Sequence, residues 1–544
     1  MHPDRDLALA DEPRPTHVSE IPRLRDPVEA LHADLAPSQA ALVQDLDVET
    51  LVEVMAAGDI FLFRVGWQAV LASLDDPELI RFRQQVLADS IAQPAVIREI
   101  YALAVAAIEG ERRDWVTRKS THADTALRRS LTVLGLFLEQ LRQLRRIAVE
   151  HRAAVRSAGL TRFFDMVAAE LDEPRLGAME EHLERLRLKG GLRLRAQLGA
   201  LHADTTYALC RPPTAPQPWR ERLGLGGRSA FTYEVSALDR YGLEVLGELR
   251  ERGIALVADA LEESVDDLLA FFRQLRAEVG FYLGCLNLRE QLARRGVPTC
   301  FPDPEPAGPV LSAQGLCEPS LGLRSLEPVV GNDLAADGAL LVVVTGANGG
   351  GKSTFLRSVG LAQLMMQCGM FVAARSFRAD IRSGIFTHFK REEAVTLKSG
   401  KLDEELGRMS AIVDALRPTD LVLLNESFAA TNEREGSEIA RQIVRALLRL
   451  GVKVLYVTHM HELAAGFARE ALPEARFLRA ERLPDGRRTF RIVEGEPQPT
   501  SHGEDVYRQV FGADPDPWRQ VPTLVADAGR GPASAGWQPR GADG

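Results

Sequence analysis

One short string constrains this chain more than anything else in its 544 residues. Gly346, Ala347, Asn348, Gly349, Gly350, Gly351, Lys352 and Ser353 follow one another and lead into Thr354. The string satisfies G-x-x-x-x-G-K-[ST], and its flanks have the character the motif requires. Before it, residues 339–344 (ALLVVV) form a continuous apolar run, the pattern of a strand covered on both faces. After it, residues 355–366 carry helical spacing. Such a strand–loop–helix unit binds the phosphates of a nucleotide. Its glycines let backbone N–H groups curl around the phosphates, and the helix N-terminus adds the positive end of its dipole. Lys352 is expected to reach the β- and γ-phosphates of ATP, and the Ser353 hydroxyl to bind Mg²⁺.

Two further apolar strands extend the site. Residues 420–424 (DLVLL) run into Asn425 and Glu426. In P-loop ATPases the acid that ends such a strand holds the Mg²⁺ shell, and a following glutamate polarises the attacking water. Glu426 fits the second role. Asn425 fills the first with an amide, which accepts from a metal-bound water but brings no charge. Residues 452–458 then deliver His459, placed to sense the γ-phosphate. The alternation of strands and helices predicts a parallel sheet with helices on both faces and the ligand at the strands' C-terminal ends.

The rest of the chain reads differently. Residues 1–37 are punctuated by Pro, Asp and His and predict a flexible tail. Residues 38–310 read as mainly helical. Leu127, Leu131, Leu134, Leu138 and Leu141 share one stripe, and Leu176, Met179, Leu183 and Leu186 repeat the pattern. At residues 186–195 (LRLKGGLRLR) the period becomes two, predicting a strand with one apolar and one cationic face. Residues 205–209 and 229–235 could add strands, giving a small β insertion over about 187–235. Helical spacing resumes near 237 and is strong at Leu261, Val265, Leu268, Phe272, Leu275 and Val279. Residues 297–309 have the proline density of an inter-domain connection. Residues 513–544 read as a disordered tail.

Composition narrows the class. The net charge of −10 argues against a purely electrostatic nucleic-acid binder, but residues 331–500 carry 23 Lys+Arg against 21 Asp+Glu, so this part is +2 and the remainder −12. No run approaches the ~20 apolar residues of a membrane span. The N-terminus lacks the basic end and apolar run of a secretory signal, which predicts a cytoplasmic protein, with nucleoid association possible in a bacterium. Five cysteines never occur as C-x-x-C, so neither structural zinc nor a disulfide framework is expected.

The motifs together resemble the MutS family. TGANGGGKSTFLRSVGLAQLMMQCGMFVAARSF looks like its P-loop and following helix. IFTHF (385–389) and SGKLDEELGRMSAIVDAL (399–416) look like the segment with the ABC-type signature. LVLLNESFAATNEREG (421–436) resembles the Walker B strand and D-loop, and VTHMHEL (457–463) the switch-histidine strand. SHGEDVYRQVFG (501–512) is similar to a C-terminal helix-turn-helix that embraces a second subunit. The resemblance implies an α/β P-loop (ABC-type) ATPase domain over 325–512, C-terminal to a helical core and lever region with a clamp-like insertion. It also implies a homodimer with composite ATP and Mg²⁺ sites, in which Ser399 of one subunit caps the γ-phosphate bound by the other. DNA is then the expected partner, in mismatch repair, other DNA repair or recombination, with other repair proteins as possible partners.

Departures qualify the resemblance. Asn425 stands where the family has aspartate, and Ala-Ala-Thr-Asn replaces the common Gly-Thr-Ser-Thr of the D-loop, which predicts slow turnover. The F-x-E string of a mismatch-reading domain occurs only at Phe137, Leu138 and Glu139, inside the leucine stripe, and no endonuclease domain is expected after 512. A nucleotide-gated switch that grips a protein partner is the alternative to a DNA-binding ATPase. A small-molecule kinase on the same scaffold would leave the switch histidine without a purpose.

Overall fold

The computed structural model describes Leu31 and residues 35–113, 122–187, 194–198, 205–209, 240–391, 400–483 and 486–497. The helical region resolves into α1 (Pro37–Leu46), α2 (Val48–Ala56), α3 (Ile60–Leu71), α4 (Pro77–Ala92), α5 (Pro94–Arg113), α6 (Ala123–His151), α7 (Ala158–Glu170) and α8 (Glu173–Leu186). Asp59, Asp76, Ser157 and Asp172 cap α3, α4, α7 and α8, each side chain accepting from a first-turn N–H. All five leucines of the α6 stripe are buried. Arg129 is the buried exception among the arginines of that helix, paired with Glu111 of α5 at 2.6 Å.

The insertion is a hairpin in which β1 (Leu194–Leu198) pairs antiparallel with β2 (Thr205–Leu209), Leu194 opposite Leu209. Its first strand lies later than the sequence pattern suggested. Leu186 belongs to α8, where it packs with Leu183 against Leu127 and Leu131. Arg187 is that helix's C-cap, in helical conformation and paired with Glu184 at 2.7 Å. Helical burial therefore overrides the apolar–basic alternation there. Residues 188–193 and 229–235 lie outside the described residues, as do both expected tails apart from the positions named above.

The 55-residue α9 (Arg240–Arg294) follows, about 80 Å long at 1.5 Å per residue. Towards its C-terminal end Val265, Phe272, Leu275 and Val279 are buried among α5 and α6, and the Phe272 and Phe137 rings meet at 5.3 Å. Nearer its start, Ile254 and Ala258 pack on Leu127 and Leu131 in a separate small cluster.

Beyond α9 come β3 (Asp303–Glu305), β4 (Leu311–Leu316), α10 (Pro319–Arg324), β5 (Asn332–Ala335) and β6 (Leu341–Thr345). Then follow α11 (Lys352–Gln367), β7 (Ser376–Asp380), β8 (Ile385–Phe389), α12 (Lys401–Ala415), β9 (Leu421–Asn425) and α13 (Glu433–Arg449). The last elements are β10 (Lys453–Val457), α14 (His461–Glu470), β11 (Ala475–Arg482) and β12 (Arg488–Glu494). Six strands form one sheet in the order β12-β11-β6-β10-β9-β8, parallel throughout except for β12. A second, four-stranded sheet in the order β3-β7-β4-β5 has no counterpart in the sequence analysis. The proline-rich stretch expected as a linker contributes β3 to it, with Asp303 opposite Arg378.

The main sheet is buried on both faces. Leu341, Val343, Val422 and Leu424 face α12, α13 and α14. Val342, Val344, Leu423 and Leu455 face α11 and join the core that continues through the helical region. Helix α11 is buried within that shared core. A Cβ on Gly360 would come within 2.7 Å of Leu423 on β9 and 2.9 Å of Leu46 on α1, so the missing side chain is what lets the layers close. At its end, Gln367 accepts from Leu74 N at 2.9 Å and donates to Ser73 Oγ at 2.6 Å, in the turn between α3 and α4.

Among the described residues no single helix is long and apolar enough to cross a membrane; α4 and α5 pass that test only as a pair bent by 100°.

A buried ionic cluster ties the two sheets. Lys453 Nζ donates to Asp380 Oδ1 at 3.2 Å and to Val310 O at 2.9 Å, and Arg382 pairs with the other Asp380 oxygen. All three side chains are almost wholly buried. Asp380→Asn would leave two buried cations without their carboxylate, and urea unfolding is expected to show a loss of about 3–5 kcal/mol.

Candidate functional site

In-register pairing brings three strand ends together. Val344 of β6 lies opposite Val457 of β10, and Val457 lies opposite Asn425 of β9. The loop after β6, the Asn425–Glu426 step after β9 and His459 just beyond β10 therefore emerge side by side at the carboxyl edge.

The glycine-rich loop needs its glycines. Gly346, Gly349 and Gly351 have φ of 113°, 68° and 89°, the left-handed region that side chains disfavour. Gly346 and Gly350 also lie against Ala480 of β11, where a Cβ would come within 3.1 Å and 2.7 Å of its Cβ. Ala347 is buried, whereas Asn348 and Gly349 are exposed at the crown of the loop. Lys352 and Thr354 begin α11, and Lys352 is buried with Nζ donating to Gly346 O at 2.8 Å and Ala347 O at 3.0 Å. Burial lowers its pKa, the nearby Glu426 opposes that shift, and Arg488 adds to it.

Ser353 Oγ donates to Asn425 Oδ1 at 3.0 Å, so the two residues expected at the Mg²⁺ shell meet directly. Both are hard oxygen donors, which suit Mg²⁺ with several waters retained, although neither is charged. Glu426 takes a left-handed φ of 52°, and its N–H donates to Val457 O at 2.8 Å, fixing the turn off β9. Its Oε1 stands 3.8 Å from His459 Nδ1, an ion-pair rather than a hydrogen-bond distance. The neighbouring His459 lowers the Glu426 carboxyl below the ordinary range despite burial, with Lys352 and Lys390 acting the same way. Ser399 lies outside the described residues, as does the segment 501–512.

Some neighbours were not singled out from sequence. Arg488 and Phe490 approach the loop from β12: a Cβ on Gly349 would be 2.7 Å from an Arg488 guanidinium nitrogen, and one on Gly351 3.4 Å from Phe490 O. Strand β12 is pinned by Asn332, which accepts from Ile492 N at 2.7 Å and donates to Phe490 O at 3.4 Å. Nothing in local sequence marks these positions, since only the β11–β12 hairpin carries them back to the loop.

A second group supports Glu426 from behind. His388 at the end of β8 is fully buried, with Nε2 3.0 Å from Glu405 O on α12 and Nδ1 2.8 Å from Ser427 Oγ. The Glu405 carbonyl can only accept, so Nε2 carries the proton. The imidazole stacks on Phe428 at 5.4 Å, and Tyr456 Oη donates to Ser427 O at 2.7 Å. Burial, aided by the Arg408 charge, pushes the His388 pKa down to about 4. Gly436 is required here because a Cβ would lie 2.4 Å from Phe428 O.

The sign of the resulting pH dependence follows from that value. Between about pH 6.5 and 4 the unfolded chain takes up a proton that folded His388 refuses, so stability is complete above 6.5 and falls as the pH drops. The expected loss by pH 4 is about 3 kcal/mol from this group. Denaturant unfolding of His388→Phe beside wild type should show a shallower acid dependence over that window.

Known proteins resemble this chain in two blocks. The family model described as the MutS2 N-terminal domain matches residues 75–295, and that of MutS domain V matches residues 342–510. The DNA mismatch repair protein MutS of Chloroflexus aurantiacus is 30% identical over 296 residues, which is 53% of this chain and 30% of that protein. That of Thermotoga petrophila is 36% identical over 141 residues, 26% of this chain and 18% of the relative. MutS protein homolog 4 of Mus musculus is 30% identical over 137 residues, 25% and 14% of the two chains. The chain thus spans less than a third of the length of each of these relatives.

Proposed function

Because the chain belongs to the MutS family, we propose that it is a cytoplasmic ATPase whose homodimer binds ATP and Mg²⁺ in composite sites and acts on DNA in repair or recombination. The observation that carries the nucleotide reading is the convergence of Lys352, Ser353, Asn425, Glu426 and His459 at three adjacent strand ends.

The chain's own groups divide the work. Backbone N–H groups of residues 346–353 and the α11 N-terminus face the phosphates. Lys352 exchanges its two carbonyl acceptors for phosphate oxygens, a charge-assisted bond that outweighs them. Ser353 Oγ and Asn425 Oδ1 hold the Mg²⁺ shell; the ion supplies neutralisation of the triphosphate charge. Glu426, kept ionised by its cationic neighbours, accepts the proton of the attacking water, while His459 orients that carboxylate and faces the γ-phosphate. The neutral Asn425 makes turnover slow. Ser399 of the second subunit completes the site, and the β1–β2 hairpin beside α9 is the candidate contact with DNA.

A slow, nucleotide-gated switch that grips a protein is the second reading, favoured by Asn425 and by the −12 charge balance outside residues 331–500.

Nucleotide titration and phosphate release separate the roles. Lys352→Ala is expected to weaken ATP binding itself. Glu426→Gln should retain ATP and slow hydrolysis by about a hundredfold or more, accumulating a dimer in sizing experiments; hydrolysis at the wild-type rate would remove Glu426 from its role. Asn425→Asp should speed hydrolysis. Salt-dependent DNA binding decides between the two readings: absence of affinity for duplex, junction and single strand at low salt, with and without ATP, would favour the protein-gripping switch.

A further inference from the structure

The charge inventory around the phosphate loop is lopsided. Among the described residues Glu426 is the carboxylate that acts on Lys352, while Lys352, Lys390 and Arg488 bring cations from α11, the end of β8 and β12. Lys352 is satisfied by the loop's own carbonyls. Arg488 is not: it is half-buried, and its side chain has no hydrogen-bond or ion-pair partner among the described residues. Its guanidinium rests over the exposed, left-handed Gly349, one nitrogen 2.7 Å from where a Cβ on that glycine would stand. The Asn332 side chain holds β12 in the position that delivers it. A half-buried guanidinium held over a phosphate loop, beside a lysine that repels it, lacks a multivalent anion. Across the loop, the residue that would give a metal its charge is the neutral Asn425.

We propose that Arg488 binds the nucleotide phosphates directly and that, together with the uncharged Asn425, it makes ATP binding largely independent of Mg²⁺. A fixed cation then neutralises part of the triphosphate charge that a bound metal would otherwise carry. Mg²⁺ is left with a role in hydrolysis more than in holding the ligand. The inference rests on the nucleotide reading of the site given above.

Calorimetric titration of the full chain with ATP, once in Mg²⁺ and once in EDTA, tests it. The wild-type Kd in EDTA is expected within about threefold of that in Mg²⁺. Arg488→Ala should weaken metal-free binding by about tenfold or more, the worth of one charge-assisted contact, and Arg488→Lys should restore part of it. Asn425→Asp should widen the gap between the two conditions by weakening binding in EDTA. Circular dichroism of each variant checks that the hairpin still folds, and Arg488→Gln serves if the alanine variant does not. Wild-type binding that requires Mg²⁺, or metal-free binding unchanged by loss of Arg488, would overturn the proposal and leave the nucleotide site standing. Failure of the wild type to bind ATP in either condition would instead overturn the nucleotide site, and this inference with it.

Discussion

Parallel strands that are apolar on both faces must be covered on both, and the rest of this architecture follows from that requirement. Strands β6, β9 and β10 are almost wholly buried, so helices must lie above and below them. One face is closed locally by α12, α13 and α14. The other is closed by α11, behind which the helical region itself supplies the next layer. The sheet and the bundle therefore share a core, and the second sheet is clamped between them by contacts such as Arg81 to Pro304 O and Gln84 to Pro302 O.

The same requirement places the polar chemistry. Backbone groups cannot be orphaned inside such a sheet, so side chains with work to do collect where the strands end. There, register alone brings Asn425 and the residues after Val457 alongside the glycine loop. Behind them, a neutral His388 joins β8 to α12 and to the turn after β9, so the backbone that aims Glu426 is braced from below without adding charge.

How much of this was legible depended on how local the cause was. The glycine-rich loop, the strand ends at Asn425 and His459 and the leucine stripe of α6 are written in consecutive or regularly spaced residues, and each can be read from a short window. The second sheet was missed because β3 is three residues long, contains Pro304 and is flanked by Pro302 and Pro306, and β5 is only four residues, too short to show a period. The first strand of the insertion was placed too early because a helix C-terminus ending in Leu-Arg imitates strand alternation. Arg488 and Phe490 were invisible because their place beside the loop is set by tertiary folding of a hairpin that their own neighbourhood in the sequence does not announce. Ser399 and the segment 501–512 lie outside the described residues, so their expected roles remain tied to the family resemblance.

Gln367 gives the shared core a mechanical meaning. Its side chain and backbone bind Ser73, Leu74 and Arg382 at once, at the end of the helix whose opposite end follows the glycine-rich loop. Axial travel of that rod must either break its part-buried bonds to Ser73 and Leu74 or carry the α3–α4 corner with it. Because Gln367 is wholly buried, losing its bonds to Ser73 and Leu74 would leave its own polar groups short of partners, so the cheaper course is common motion. The bundle is thus geared to the loop in the manner of a crank fixed to its shaft.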